Sequence, residues 1–168
     1  MSSLSDRKTH PLERLFGPTL VARNRRVPTR DALGDKRVIG VFFTAAVCQR
    51  CQHFTPALAT VYRNLQLARY KHLALRDDLE VVMVSVDANA LAFHDYLVQN
   101  PFLALPLCRR DLSSALLARY QVSRIPTVVF VDGDGEVIER NGRALVEDAF
   151  NDVPKIAEIL ANRHDGYS

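Results

Sequence analysis

The sequence predicts an α/β fold, a central β-sheet of mixed direction with helices on both faces, and three observations predict it. Residues 37–43 and 79–86 are β-favouring runs, the pattern of strands buried on both faces. Between them Cys51, Phe54, Leu58, Val61 and Leu65 recur at spacings of three and four, which is the stripe of an amphipathic helix. Residues 127–132 and 136–140 are two further strand-like runs joined by Gly133-Asp134-Gly135, a hairpin signal that brings antiparallel pairing into the sheet.

The elements follow in order. Residues 1–17 carry Ser, Asp, Lys, Pro11 and Gly17 without a period and are expected to be a flexible N-terminal arm. Residues 19–24 resemble a short strand, and the stretch through Pro28 and Gly34 a loop or hairpin. The strand at 37–43 leads into the cysteines, and the helix after Cys48 is expected to run to about residue 70. Pro56 inside it has no N–H for the carbonyl of Gln52, so a kink is expected there. After the strand at 79–86, Asp87 has the chemistry to cap a helix across Phe93, Tyr96 and Leu97. Residues 102–107 form an extended link broken by Pro106, and 111–120 a short helix. Beyond the hairpin, Asn151 or Asp152 can cap a last helix with Pro154 in its first turn and Ile156, Ile159 and Leu160 facing the core. The division is therefore an arm (1–17), one domain (18–162) and a C-terminal tail (163–168).

Composition narrows the function. The chain has 168 residues, 48% apolar and 24% charged, with seven Gly and eight Pro, which suits one globular domain and excludes disorder as the main state. A chain of this size buries roughly 70% of its unfolded surface, enough for a core without disulfide staples or a structural metal. The longest apolar run, 38–47, is interrupted by Gly40 and Thr44 and falls short of the ~18 to 20 residues of a membrane helix, so no membrane span is expected. The first eight residues lack the apolar stretch of a secretory signal, and the last match no common sorting tail, which makes the cytoplasm the expected location. The net charge is +3, and the positive excess lies in residues 1–37, which hold nine Lys or Arg against four acids, whereas residues 38–168 hold thirteen against fifteen. Arg23, Arg25 and Arg26 have no interleaved aromatics and no nucleic-acid motif around them, so they read as a solvated face and no nucleic-acid partner is expected.

Chemistry concentrates at Cys48-Gln49-Arg50-Cys51. A Cys-x-x-Cys after a buried strand, at the start of a helix, in a chain without a disulfide framework, reads as a thioredoxin-like redox centre. A thiol is nucleophilic only as thiolate, and the free amides and dipole of a helix N-terminus stabilise that anion. Cys48 stands in that position and is the expected nucleophile. Cys51, one turn further and facing inward, is the expected resolving thiol, placed to attack a mixed disulfide on Cys48. A metal reading competes: Cys48, Cys51 and His53 are ligand types, with His72, His94 or Cys108 as a fourth, but no second clustered pair exists and no metal site is expected. Cys108 reads as a structural or incidental thiol. Asp132 and Asp134 with their glycines look like a fragment of a calcium loop, yet the remaining ligands are missing and a turn is expected.

The chain resembles the tryparedoxin and nucleoredoxin family, including its short nucleoredoxin-like members. Three segments carry the resemblance: Val41-Phe42-Phe43 through the cysteines to Phe54-Thr55-Pro56; Val84-Ser85-Val86-Asp87 with Phe93-His94-Asp95-Tyr96 and Leu103-Ala104-Leu105-Pro106; and Ile125-Pro126-Thr127 with Asp132. The middle segment separates this group from ordinary thioredoxins. The resemblance implies a thioredoxin-like fold, a dithiol-disulfide centre at Cys48 and Cys51, and a cis peptide before Pro126 beside that centre. Family members usually carry Trp before the first cysteine and Pro-Pro between the two, where this chain has Val47 and Gln49-Arg50. Phe42 stands where ordinary thioredoxins have a buried Asp.

The expected activity is protein dithiol-disulfide oxidoreduction without a cofactor. Val47, Gln49, Arg50 and Ile125 are the expected substrate contacts. The expected partners are protein disulfides or a peroxidase and an upstream dithiol or reductase, with the protein a monomer. The alternative is a binding module whose cysteine pair switches partner affinity with little turnover.

Overall fold

The computed structural model describes residues 8–67 and 78–165. In chain order its elements are α1 (Pro11–Phe16), β1 (Thr19–Ala22), β2 (Arg25–Pro28), α2 (Thr29–Leu33), β3 (Val38–Thr44), α3 (Gln49–Leu67) and β4 (Leu79–Ser85). There follow α4 (Ala90–Val98), β5 (Leu103–Ala104), α5 (Arg110–Arg119), β6 (Thr127–Val131), β7 (Val137–Glu139), α6 (Gly142–Asp148) and α7 (Val153–Asp165). The strands form one sheet in the order β2-β1-β5-β4-β3-β6-β7. β3 pairs parallel with β4 and antiparallel with β6, so the sheet is mixed, as the continuous runs and the hairpin predict.

β3 is central and every one of its residues is buried. Alternate side chains of a strand point to opposite faces, and here they divide between two clusters. Val38 and Phe42 join Phe54, Leu58, Phe102, Phe130 and Ile156 on the face covered by α3, α4, α6 and α7. Ile39, Val41 and Phe43 join Leu12, Phe16, Leu33, Leu116 and Tyr120 on the face covered by α1, α2 and α5. Full burial of a side chain of this size stabilises by ~1.5–3 kcal/mol, which is why a two-faced strand tolerates so little polarity. Phe42 meets the rings of Phe54 and Phe102 edge-on at centroid distances of 5.8 and 5.9 Å.

The N-terminal segment differs from expectation. Residues 11–16 are helical and not a loose arm: Pro11 occupies the first turn, His10 Nδ1 accepts from the Leu12 amide at 3.1 Å, and Leu12 and Phe16 are fully buried. Glu13 ties the helix to α2 through an ion pair with Arg30 at 2.7 Å, and the Thr29 hydroxyl donates to the Gly17 carbonyl at 2.7 Å. The stretch through Pro28 and Gly34 holds the second strand of the hairpin and then the single-turn helix α2, too short for a period to show. Residues 1–7, the helix end near residue 70 and residues 166–168 of the expected tail lie outside the described residues.

Two further differences concern helix starts. Asn89 and not Asp87 caps α4, its side-chain oxygen accepting from Leu91 and Ala92 at 2.9 and 3.1 Å. No sequence pattern predicts α6; it carries only Val146 as a large buried side chain, and it lies so near β6 that a Cβ on Gly142 would stand 2.6 Å from the Val128 carbonyl oxygen. The hairpin turn is as expected: Asp132 Oδ1 accepts from the amides of Asp134 and Glu136, and Gly135 takes the left-handed φ of 83° that closes it.

Candidate active site

The site lies where the parallel strands β3 and β4 end. β3 stops at Thr44, the chain turns through 45–48, and α3 begins at Gln49. The turn is fixed from three sides: the Ala46 amide donates to both carboxylate oxygens of Asp87 at 2.9 and 2.8 Å, the Cys48 amide donates to the Ala45 carbonyl at 3.3 Å, and Gln52 Nε2 donates to the Ala46 carbonyl at 2.8 Å. Asp87 is 3% exposed, and its carboxylate also accepts from the Ser85 hydroxyl at 2.7 Å. Its backbone carbonyl accepts from the Arg110 guanidinium. These bonds explain why Asp87 does not cap α4: its side chain is engaged with the cysteine turn.

Cys48 occupies the N-cap of α3. Its carbonyl accepts the first helical bond, from Gln52 at 3.0 Å, and its Sγ accepts from the Cys51 amide at 3.3 Å. Sulfur thus takes the place an Asp or Ser oxygen takes in an ordinary cap, satisfying one of the free amides of the first turn. Although burial opposes ionisation of Cys48, hydrogen bonds from the Cys51 side chain and from the Cys51 and Arg50 amides, with the Arg50 charge last, hold its thiol below the ordinary range. Val47 beside it is 75% exposed, and Gln49 and Arg50 are exposed.

Cys51 is fully buried. Burial first, and the neighbouring Cys48 second, push its thiol up to about 11 against the opposing hydrogen bonds of the Thr44 hydroxyl and the Ala45 amide. Thr44 also hydrogen-bonds the Tyr96 hydroxyl at 3.0 Å, Tyr96 bonds Thr55, and the Thr55 hydroxyl donates to the Cys51 carbonyl at 2.6 Å. Burial pushes the Tyr96 phenol up as well. Tyr96 and Thr55 line a cleft of about 520 Å³ between α3 and α4, which Ala46, Gln52, Asp95 and Asn100 help to form.

The Ile125–Pro126 peptide bond is cis. Because Phe43 pairs with Thr127, Pro126 stands at the same end of the sheet as the cysteine turn. Pro126 is buried and Ile125 half-buried. The remaining ligand types do not gather: His53 and His94 are exposed, Cys108 is exposed at the start of α5, His72 lies outside the described residues, and among the described residues no three His, Cys, Asp or Glu side chains converge on a common point. The exposure of Cys108 rules out a core-filling role. Sequence reasoning missed Thr44, Thr55 and Tyr96 as site residues and assigned Asp87 to another task, although Thr55, Asp87 and Tyr96 fall within the segments that carried the resemblance.

A family model described as Thioredoxin-like matches residues 35–137, which span the cysteine turn, the parallel strands β3, β4 and β5 and the cis proline. Tryparedoxin of Trypanosoma brucei brucei is 34% identical over 128 residues, covering 76% of this chain and 82% of the relative. Probable nucleoredoxin 1 of Arabidopsis thaliana is 34% identical over 139 residues, covering 80% of this chain and 22% of that protein. The chain thus spans less than a third of the length of the nucleoredoxins it matches. The crystal structure of native tryparedoxin I from Crithidia fasciculata superposes with a TM-score of 0.70 at 27% identity, covering 84% of this chain and 94% of that one. The chain belongs to the thioredoxin-like family, on its tryparedoxin and nucleoredoxin branch.

Proposed function

We propose that the protein is a protein dithiol-disulfide oxidoreductase of tryparedoxin and nucleoredoxin type, and the observation that carries this reading is the contrast between its two cysteines. Cys48 Sγ sits on the N-cap of α3 with its thiol biased toward thiolate, while Cys51, one turn on, is buried with its thiol biased toward the protonated form. The Cys48 thiolate attacks one sulfur of a substrate disulfide, forming a mixed disulfide and releasing the other substrate sulfur as a thiolate that takes up a proton. Cys51 then loses its proton and attacks Cys48 Sγ. The Cys48–Cys51 disulfide forms, the bond to substrate breaks, and the substrate leaves as a dithiol. An upstream dithiol or reductase supplies the two electrons that restore both thiols. Ile125 offers backbone for strand-like pairing with a substrate segment beside Pro126, and Val47, Gln49 and Arg50 form the surface on which the substrate rests. Protein disulfides or a peroxidase are the substrates, no cofactor or metal takes part, and a monomer in the reducing cytoplasm suffices.

Insulin reduction in dithiothreitol tests this reading. Precipitation of the B chain above the background rate, lost in Cys48→Ser, is the expected result. The exposed Val47 favours a second reading, because an aliphatic side chain at that place gives a docking surface without an aromatic platform. In that reading the cysteine pair switches the affinity of a binding module; insulin reduction then stays at background while a reversible Cys48–Cys51 disulfide still forms.

A further inference from the structure

Beside Pro126 a groove of about 320 Å³ opens between the start of β6 and α6, lined by Arg124, Pro126, Arg140, Asn141, Arg143 and Glu147 among others. Its charge is uneven, because three guanidiniums share it with one carboxylate. The cysteine turn adds no free acid: the Asp87 carboxylate is buried and engaged with Ala46 and Ser85, while Arg50 beside Cys48 is exposed. Like charges held in one groove repel, and an anion that enters it relieves the repulsion.

The arginines are held but not satisfied. A guanidinium presents several N–H donors in a rigid fork and has no acceptor. Arg140 donates through Nη1 to the Tyr120 carbonyl at 2.7 Å, and Arg143 donates through Nε to Glu147 Oε1 at 2.9 Å, with its guanidinium 5.9 Å from the centroid of the Phe54 ring. The Arg124 side chain has no hydrogen-bond or ion-pair partner among the described residues. Its backbone is nonetheless fixed, since the Arg124 carbonyl accepts from the Thr127 hydroxyl at 2.6 Å. Forked donors in fixed places without protein acceptors match the geometry of a carboxylate.

We propose that Arg124, Arg140 and Arg143 form a carboxylate-binding groove that selects protein disulfides flanked by Asp or Glu. The proposal rests on the exchange reading given above and narrows its substrate class. Arg124 immediately precedes Ile125, whose backbone pairs with the substrate segment, so the side chains next to the substrate disulfide pass the mouth of the groove. A carboxylate there takes the free fork of Arg124, and Arg140 and Arg143, each anchored through one nitrogen, supply further donors. The chemistry at sulfur is the same for every substrate. The arginines determine specificity: they raise kcat/KM for acidic segments by binding and orienting them, and touch neither cysteine.

Three peptides that differ only in the residues on either side of an intramolecular disulfide, Glu, Gln or Lys, test the groove. Each is mixed with the pre-reduced protein in a Cys108→Ser background, and the second-order rate of peptide reduction is read by mass spectrometry after acid quench. The parent should reduce the Glu peptide about fivefold faster than the Gln peptide, the upper range for a partly exposed ion pair, with the Lys peptide slowest. In ~1 M salt, where the screening length falls to ~3 Å, the difference should shrink. Arg124→Gln should bring the Glu-to-Gln ratio below about twofold. Arg124→Glu should raise the rate of the Lys peptide above the parent's, a gain that no folding defect produces. Arg25→Gln, on the β1–β2 hairpin at the other edge of the sheet, removes the same charge and should leave the ratio as in the parent. Equal rates for the three peptides, or a loss of preference in Arg25→Gln as large as in Arg124→Gln, overturns the groove. Failure of the parent to reduce any of the three defeats the exchange reading itself and the groove with it.

Discussion

Cys48 and Cys51 are three residues apart on one helix, yet their surroundings drive the same functional group in opposite directions. Cys48 stands at the cap, where, against burial, the Cys51 side chain first, then two backbone amides and a cationic side chain favour the anion. Cys51 stands one turn deeper, where burial disfavours any charge and only a threonine hydroxyl and one amide offset it. The difference comes from depth: the turn of 45–48, anchored by Asp87, carries Cys48 at the partly exposed cap, while Cys51, whose carbonyl accepts from Thr55, is fully buried one turn on. No carboxylate is among the influences that drive the two thiols apart.

The largest expected effect comes from exchanging each sulfur for oxygen. Cys48→Ser should abolish disulfide reduction, whereas Cys51→Ser should retain the first attack and accumulate a mixed disulfide with substrate, detectable as a covalent adduct by mass spectrometry. An adduct that forms on Cys51 in the Cys48→Ser variant, at a rate like that of Cys48, would erase the contrast.

A smaller effect is expected from Asp87→Ala, which leaves the Ala46 amide and the Ser85 hydroxyl without their acceptor. An unsatisfied buried polar group costs ~1–3 kcal/mol, so the unfolding free energy from a denaturant titration should fall by about that amount, and the rate of attack by Cys48 should fall with it as the turn loosens. Stability unchanged in Asp87→Ala would mean that the turn is held by α3 alone. Smaller still is Arg50→Ala, which removes the last of the influences favouring the Cys48 thiolate. An exposed charge pair is worth ~0.2–1 kcal/mol, so alkylation of Cys48 at neutral pH should slow by less than about fivefold. Cys108→Ser should leave reduction kinetics and the potential of the Cys48–Cys51 pair unchanged, since Cys108 is exposed and lies outside the site; a covalent dimer through Cys108 under mild oxidation would contradict this.

Legibility in the sequence followed the length of the physical signal. β3, β4 and α3 were plain because long apolar runs and a five-member stripe leave few alternatives. α1 and α2 were not, because helices of six and five residues carry too few turns to show a period, and both are stabilised by tertiary contacts, the buried Leu12 and Phe16 and the Glu13–Arg30 ion pair. The cysteine motif identified the site at once, while its support was hidden. Asp87 has the composition of a cap in sequence, and only the approach of Ala46, forty-one residues away, redirects its carboxylate. In the sequence Tyr96 marks only the helix that follows Asp87; β3 and α3 bring Thr44 and Thr55 to its hydroxyl. Local patterns announce the reactive group, and long-range packing decides what surrounds it.

The central claim is the divergence of the two thiols, and iodoacetamide alkylation across pH, with each cysteine followed separately by mass spectrometry in the Cys108→Ser background, tests it most directly. Only the thiolate reacts, so the rate at each sulfur rises through that sulfur's own pKa. Cys48 should show its inflection below the free-thiol value of ~8.5, and Cys51 should stay unreactive until pH nears about 11. Cys48 titrating at or above the free value, or Cys51 reacting faster than Cys48 at neutral pH, would contradict the account.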